Sequence, residues 1–480
     1  MTRRYAPVVT DSVESHESRQ RRRSLLGPVL VFALVVRVGW AWVQPDDPQA
    51  IGKLPDQREY LALADNLLHG NGLHFFDARF ADEVYAFRTP GYPAFVAVCA
   101  AKPRVVRLAQ AVIDTSTVLA IYLLARRWLT RGAAVVAAAI VALNPFLIYF
   151  SALVLSETLF AAMLAWGMVL LAGPRPGDLS DRRLADLGWI AGGAVLALGI
   201  LVRPSGLGLP IVLGVAAAFV NPRLNPRLNP LPNPEGDVAY KDSSPQRTRW
   251  RWPVPVATTM LALTALVLIP WAARNYARLG AWIWTTTNAG ITSYDGFNPD
   301  ATGASHQEDF IRAMPQLKQM SEVDRDQYLQ NLAKDAIRRD PRRALELAAA
   351  KISRTWSPVP LSREYSGRLY FMVGLLFSLP FDLLILAGLW SGRVPRSAKV
   401  FLLLPALYFT LVHAASVGSL RYRVVAEGPM AVLAAAAFMD LARFLIPSAR
   451  FAAVPPYVRA RSADTAATVP SAVPNEETPP

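Results

Sequence analysis

The sequence predicts an all-α polytopic membrane protein. It has about ten transmembrane helices, surface helices in the first extracytoplasmic loop and a small extracytoplasmic domain. Two observations predict this. The chain is 53% hydrophobic and 18% charged, with several apolar runs of roughly 17–22 residues, enough to cross ~30 Å of hydrocarbon. Lys and Arg cluster in alternate gaps between those runs, as expected for loops kept in the cytoplasm. The single cysteine, Cys99, excludes an intrachain disulfide and argues against a cysteine-based metal site. The net charge of +14 is read as a topology signal, so no nucleic-acid partner is expected.

Residues 1–24 form a basic tail with Arg19, Arg21, Arg22 and Arg23 next to the first span, about Leu25 to Val43. No cleavage site follows that span, and the amino terminus is expected inside. Residues 45–104 then form an extracytoplasmic loop within a catalytic core of 25–220. Asp56 to His69 reads as a surface helix with Tyr60, Leu61, Ala64, Leu67 and Leu68 on one face. Gly70-Asn71-Gly72 ends it. An irregular acidic segment with Asp77, Asp82 and Glu83 follows. Arg88-Thr89-Pro90-Gly91-Tyr92-Pro93 breaks the chain before a short surface or re-entrant helix over 94–101.

Further spans are expected at about 105–128, 133–150 and 158–172, with the outer turn Ser156-Glu157 between the last two. The loop carrying Arg175, Arg182 and Arg183 is read as cytoplasmic. Residues 187–220 are two spans broken at Arg203-Pro204. A Pro-rich cytoplasmic linker occupies 221–252, and a span 253–270. The extracytoplasmic domain is 271–366, with helices at about 307–320, 323–339 and 341–355. Three spans within 367–446, at about 368–390, 399–416 and 428–446, precede a disordered cytoplasmic tail, 447–480.

Asp56 is the candidate general base, able to take a proton from an acceptor hydroxyl as it attacks an electrophilic carbon. A plain solvated acid is the competing reading, and Asp46 and Asp47 compete for the role unless they cap the span end. Glu157 is either a solvated helix start or a second acid in the same cavity. Two carboxylates without histidines suit a hard divalent cation, Mg or Mn, if any. The expected outer arginines Arg88, Arg203, Arg274, Arg421 and Arg423 run against the topology bias. Guanidiniums there suit a lipid phosphate, with Arg421-Tyr422-Arg423 and Arg274-Asn275 best placed; the alternative is snorkelling to headgroups. Arg203 and Arg88 instead suit pairing with acids. Arg37 and Asp114 lie inside spans and suit an ion pair, and His306 and His413 suit structural roles.

In order along the chain stand Asp56-x-x-x-Tyr60, Arg88-Thr89-Pro90-Gly91-Tyr92-Pro93, Ser156-Glu157-Thr158-Leu159-Phe160 and Leu201-Val202-Arg203-Pro204-Ser205. Pro270-Trp271-Ala272-Ala273-Arg274-Asn275-Tyr276, Thr287-Asn288-Ala289-Gly290, Asn298-Pro299-Asp300-Ala301-Thr302-Gly303 and Arg421-Tyr422-Arg423 follow. With these motifs the chain, over about 25–445, resembles the C-type membrane glycosyltransferases. Within them it resembles especially the bacterial relatives of the dolichyl-phosphate-mannose protein mannosyltransferases and of the lipid A aminoarabinose transferase.

The resemblance implies a polyprenyl-phosphate sugar donor and inverting transfer, on the extracytoplasmic face of the cell membrane, to a lipid, glycan or protein acceptor. It also implies Asp56 as base, Glu157 as second acid and phosphate contacts from Arg421 and Arg423, with Tyr60 and Tyr422 in the same motifs. The chain departs from the Asp-Glu pair of familiar members, since Gln57 follows Asp56; the metal requirement stays open. A transporter or flippase of lipid-linked sugars, or a non-enzymatic cell-envelope assembly protein, are the rival classes. Charges repeated at mid-membrane in two halves would mark the transporter, whereas the acids here gather in loops expected on one side.

Overall fold

The computed structural model describes residues 25–173, 182–221, 224, 253–361 and 367–446. The basic tail, the loop carrying Arg175, most of the Pro-rich linker and the carboxyl-terminal tail lie outside the described residues, as do the side chains of Arg182 and Arg183.

The described residues are helical almost throughout. Among the described residues, six helices are long and apolar enough to cross a membrane: α1 (Leu26–Val43), α5 (Pro103–Arg126), α11 (Pro253–Leu279), α16 (Arg368–Gly388), α17 (Arg396–Ala414) and α18 (Arg421–Leu445). The pair α6 (Arg131–Leu143) and α7 (Pro145–Ser151) makes a seventh candidate, bent by 54°. The sequence reading took 133–150 as one run. The bend arises because Asn144 is extended and accepts from the Phe146 and Leu147 amides, starting a new helix at Pro145. Shorter apolar helices are α8 (Glu157–Ala172), the apolar part of α9 (Arg182–Val202), and the stretch from the 3₁₀ turn Pro204–Gly206 through α10 (Leu209–Ala217).

Proline sets several of these starts, because its fixed φ and missing N–H suit the first turn. It opens α2 (Pro48–Gly52), α3 (Pro55–Leu68) and α5. Inside the bundle, Arg37 of α1 pairs with Asp114 of α5 at 2.5 Å, both fully buried. The same guanidinium donates to the carbonyls of Val141 and Ala142, so α1, α5 and α6 share one polar knot.

The acidic stretch after α3 is a small hairpin rather than irregular chain. Strand β1 (Phe75–Asp77) pairs antiparallel with β2 (Asp82–Val84), and Phe75 and Val84 face inward. Short helix α4 (Gly91–Val98) follows. The later polar segment holds α12 (Ala289–Phe297), α13 (Gln307–Ala313), a 3₁₀ turn (Pro315–Gln319), α14 (Glu322–Arg339) and α15 (Pro341–Thr355). Ser321 and Asp340 cap α14 and α15 by accepting from the Asp324 and Arg343 amides.

The first loop and this later segment share one hydrophobic core. Leu63, Phe75, Phe80 and Phe87 pack with Ile291, Phe310, Leu317 and Leu329, apart from the core of the helix bundle. Burying each such side chain stabilises by about 1.5–3 kcal/mol. Glu322 seals the join, accepting from the Tyr85 and Ala86 amides and from the Thr287 hydroxyl. Helix α3 is therefore wedged between two cores: Tyr60 and Ala64 belong to the bundle and Leu63 to the outer one. Its expected apolar face is corrected accordingly. Leu68 is half exposed, whereas the polar Gln57 and Glu59 are buried because both have partners in the loop.

Candidate active site

Four elements bring the site together: the first turn of α3, the Arg88 motif, the start of α8 and the start of α18. Proline at position 55 starts α3, so Asp56 sits in the first turn, where an acid also meets the positive end of the helix. Arg88 donates to Asp56 Oδ1 at 2.6 Å and to Glu59 Oε2 at 2.5 Å. Arg421, the first residue of α18, donates through Nη1 to Asp56 Oδ2 at 2.8 Å and through Nε to Glu157. Arg203, extended at the break after α9, reaches the same Glu157 oxygen at 3.0 Å. On the other side, Arg79 pairs with Asp77 at 2.7 Å and reaches Glu59 at 3.5 Å.

Aromatic faces line the network. The Arg88 guanidinium lies 5.3 Å from the Tyr60 ring centroid, and that of Arg203 lies 5.6 Å from Tyr422. Tyr60 packs edge-on against Tyr92, whose hydroxyl donates to Gln110 at 2.7 Å. Tyr422 is stacked flat on His413 at 3.7 Å.

Electrostatics follow from the pairing. Burial alone would raise the Asp56 carboxyl, but the adjacent Arg88 and Arg421 guanidiniums overcome it and hold it well below the usual carboxylate range. Burial works against the charge on Arg88, and Glu59 and Asp56 more than restore it. Burial also pushes the Tyr60 phenol upward. Asp56 is thus a fixed anion whose basicity depends on how many guanidiniums hold it.

Asp56, Glu59, Arg79, Arg88, Arg421 and Tyr422 line a cavity of about 1370 Å³. Arg354, Lys53, Asn288 and the loop 302–309 complete its polar wall. Leu361, Leu369, Tyr370 and Val373 form an apolar stretch of the same wall.

The residues singled out in the sequence separate into three groups. Asp56, Tyr60, Arg88, Glu157, Arg203, Arg421 and Tyr422 come together. Within that set Glu157 is 1% exposed and does not line the cavity; it lies behind Arg421. Arg423 is not brought in. Two residues along a helix is a turn of about 200°, so Arg421 and Arg423 face opposite ways. Arg423 binds Glu427, Ser378 and Asp382, tying α18 to α16. Arg274 is not brought in either: it donates to the Leu73 and Tyr85 carbonyls and fastens α11 to the hairpin. Asp46 pairs with Arg104 and Arg107, and Asp47 caps α2.

Glu59 and Arg79 escaped the sequence reading. The i, i+3 spacing from Asp56 puts Glu59 on a neighbouring helix position and could have found it; nothing local marks Arg79. Gln57 explains its own place in the motif. Its amide donates to the Ile51 carbonyl and accepts from the Val154 amide, a double task that a carboxylate cannot perform.

For a divalent cation the donor set does not fit. Asp56 and Glu157 are each held by two guanidiniums, and among the described residues no three His, Cys, Asp or Glu side chains are placed to hold a metal ion. No step is routed through a metal.

Residues 93–229 match the family model of the dolichyl-phosphate-mannose-protein mannosyltransferases. No curated protein matches the chain. Among solved structures, the chain is similar to the archaeal oligosaccharyltransferase AglB from Archaeoglobus fulgidus in complex with an inhibitory peptide and a dolichol-phosphate. The identity is 16% and the TM-score 0.51, over 93% of this chain and 54% of that one. The oligosaccharyltransferase of the same organism tethered with an acceptor peptide gives the same values. ArnT from Cupriavidus metallidurans bound to undecaprenyl phosphate aligns at 14% identity over 89% of this chain and 81% of that one, with a TM-score of 0.35. The chain thus spans about half the length of the oligosaccharyltransferase that it matches. The resemblance to C-type membrane glycosyltransferases therefore holds in sequence over residues 93–229 and in fold over 93% of the chain.

Proposed function

We propose that the protein is an integral membrane glycosyltransferase. It moves a sugar from a polyprenyl-phosphate donor to an extracytoplasmic lipid, glycan or protein acceptor, by inverting displacement with Asp56 as general base. The observation that carries this reading is Asp56 itself: a carboxylate on a cavity wall, bracketed by Arg88 and Arg421, with an apolar stretch in the same wall.

In the reaction, the acceptor oxygen attacks the anomeric carbon while the carbon–oxygen bond to phosphate breaks. The bonding pair leaves with the phosphate oxygen, and the acceptor proton passes to Asp56. Attack opposite the leaving group inverts the anomeric centre. The growing negative charge on phosphate draws the guanidiniums of Arg421 and Arg88, which stabilise it. As they turn away from Asp56, its carboxylate regains basicity, so donor and base are coupled. Glu157 acts by holding Arg421, with Arg203 behind it. In this reading the cavity faces the extracytoplasmic side and both termini are cytoplasmic. The matched mannosyltransferase family and the dolichol-phosphate named with the oligosaccharyltransferase support a lipid-phosphate donor.

The test is sugar transfer by the purified chain in nanodiscs, with a panel of polyprenyl-phosphate sugars. Asp56→Asn is expected to lower turnover at least about 100-fold while donor binding persists. Unchanged transfer would remove Asp56 from the chemistry. Leaflet-to-leaflet flipping in sealed vesicles without turnover would favour a transporter.

A further inference from the structure

The cations of the cavity divide into two sets. Arg79, Arg88 and Arg421 are committed to carboxylates. With Arg203 included, the guanidiniums of Arg79, Arg88, Arg203 and Arg421 face the carboxylates of Asp77, Glu59, Asp56 and Glu157, four against four. The network is electrically balanced, so it presents no surplus positive charge to an arriving phosphate. An arginine already bridging two carboxylates gives up charge-assisted hydrogen bonds to make new ones.

Arg354 stands outside that balance. It lies in the last turn of α15, half-buried, and lines the cavity. Its Nε donates to the Gly418 carbonyl at 3.4 Å, three residues before Arg421. Among the described residues its two terminal nitrogens have no hydrogen-bond partner and it takes part in no ion pair. The fork is therefore tethered at its base and open at its end, in the lining of the cavity that Asp56, Arg88 and Arg421 also line. Six residues on, the chain reaches Pro360 and Leu361, where the apolar stretch of the cavity wall begins. Lys53 also lines the cavity without an ion pair, but it is exposed, and an ammonium on a flexible stem is a hydrated point charge without a fork.

We propose that Arg354 is the residue that binds the donor phosphate on arrival, its two terminal nitrogens forked on phosphate oxygens and the prenyl chain laid along Leu361, Leu369 and Val373. The assignment rests on the lipid-phosphate donor proposed above and adds the residue that grips it. Phosphate held here lies in the cavity that Arg421 also lines, so the guanidiniums on Asp56 can turn to it without first leaving Asp56 unpaired.

The experiment measures binding of a sugar-free polyprenyl monophosphate to the full chain in nanodiscs. The proteins are wild type, Arg354→Gln, Arg354→Lys, Lys53→Gln and, as a control outside the cavity, Arg342→Gln. Losing a forked, charge-assisted contact is expected to weaken binding about 10- to 100-fold in Arg354→Gln, with a shallower salt dependence. Arg354→Lys should recover part of the loss, and the other two variants should stay within about twofold of wild type. Monodisperse elution of each variant checks the fold. Wild-type affinity in Arg354→Gln overturns the assignment, as does an equal loss in Lys53→Gln. Failure of the wild type to bind any polyprenyl phosphate sinks the donor reading and this inference with it.

Discussion

Arg421 holds Asp56 with one nitrogen and Glu157 with another, and so ties the first loop, the start of α8 and the start of α18 into one rigid corner. Asp56 is partly exposed in the cavity wall, whereas Glu157 is sealed behind it. The two acids therefore have different tasks. One faces the cavity, and the other orients an arginine that lines it.

Glu157→Gln should separate those tasks. It leaves Arg421 and Arg203 facing a neutral amide, and breaking a buried pair on one side costs about 3–5 kcal/mol. A lowered unfolding midpoint in detergent is expected, together with reduced kcat and little change in donor affinity. The double variant Glu157→Gln/Arg203→Gln should recover part of the stability. Reduced stability with unchanged kcat would make Glu157 a structural residue only.

Asp56 sets a second expectation, for acid pH. Its carboxyl is held below the unfolded value, so the stabilisation that it contributes is present above about pH 4 and is lost as pH falls further. The stability difference between wild type and Asp56→Asn should stay flat from pH 5 to 8 and shrink only below about pH 4. Chemical unfolding across that range measures it. A difference that changes near neutral pH would contradict the tight pairing with Arg88 and Arg421.

Lys351 behaves in the opposite sense. It is fully buried on α15, its Nζ lies 3.4 Å from the centroid of the Phe297 ring, and among the described residues Nζ has no hydrogen-bond partner. Burial pushes its ammonium down to about 8, with Asp295 opposing. The unfolded chain then holds the proton more tightly than the fold, so stability should rise as pH climbs from about 8 towards 10. Lys351→Met should abolish that rise and be the more stable protein at pH 7. Persistence of the rise with methionine in place would put the titration elsewhere.

Gly91 marks a close crossing. A Cβ there would lie 2.7 Å from the Leu201 carbonyl oxygen, where α4 meets the end of α9. Gly91→Ala should destabilise by about 1–3 kcal/mol and disturb Arg88, three residues away. Gly132→Ala, with nothing within 4 Å of the new methyl, should be neutral or stabilising by up to about 1 kcal/mol. Thermal unfolding of the two variants side by side tests the contrast.

Local pattern determined much of this protein. Apolar run length marked the span candidates, and proline and glycine marked where helices start and end. Asp56, Tyr60, Arg88, Glu157, Arg203, Arg421 and Tyr422 were all legible as candidates, because charges and aromatics beside apolar runs stand out in any reading of the chain. Contact was a different matter. Asp56 and Arg421 are 365 residues apart and meet only because α18 packs against the bundle. Helical geometry sends Arg423 to the opposite side from Arg421, and the wedged position of α3 turns Glu59 inward to meet Arg79 and Arg88. The sharing of one core by the hairpin and the later polar segment was likewise set by packing. Periodicity and turn chemistry act over a few residues and can be read from sequence. Which charge meets which is decided by the depth and rotation of packed helices, and that decided which arginines hold Asp56 and which one was left open.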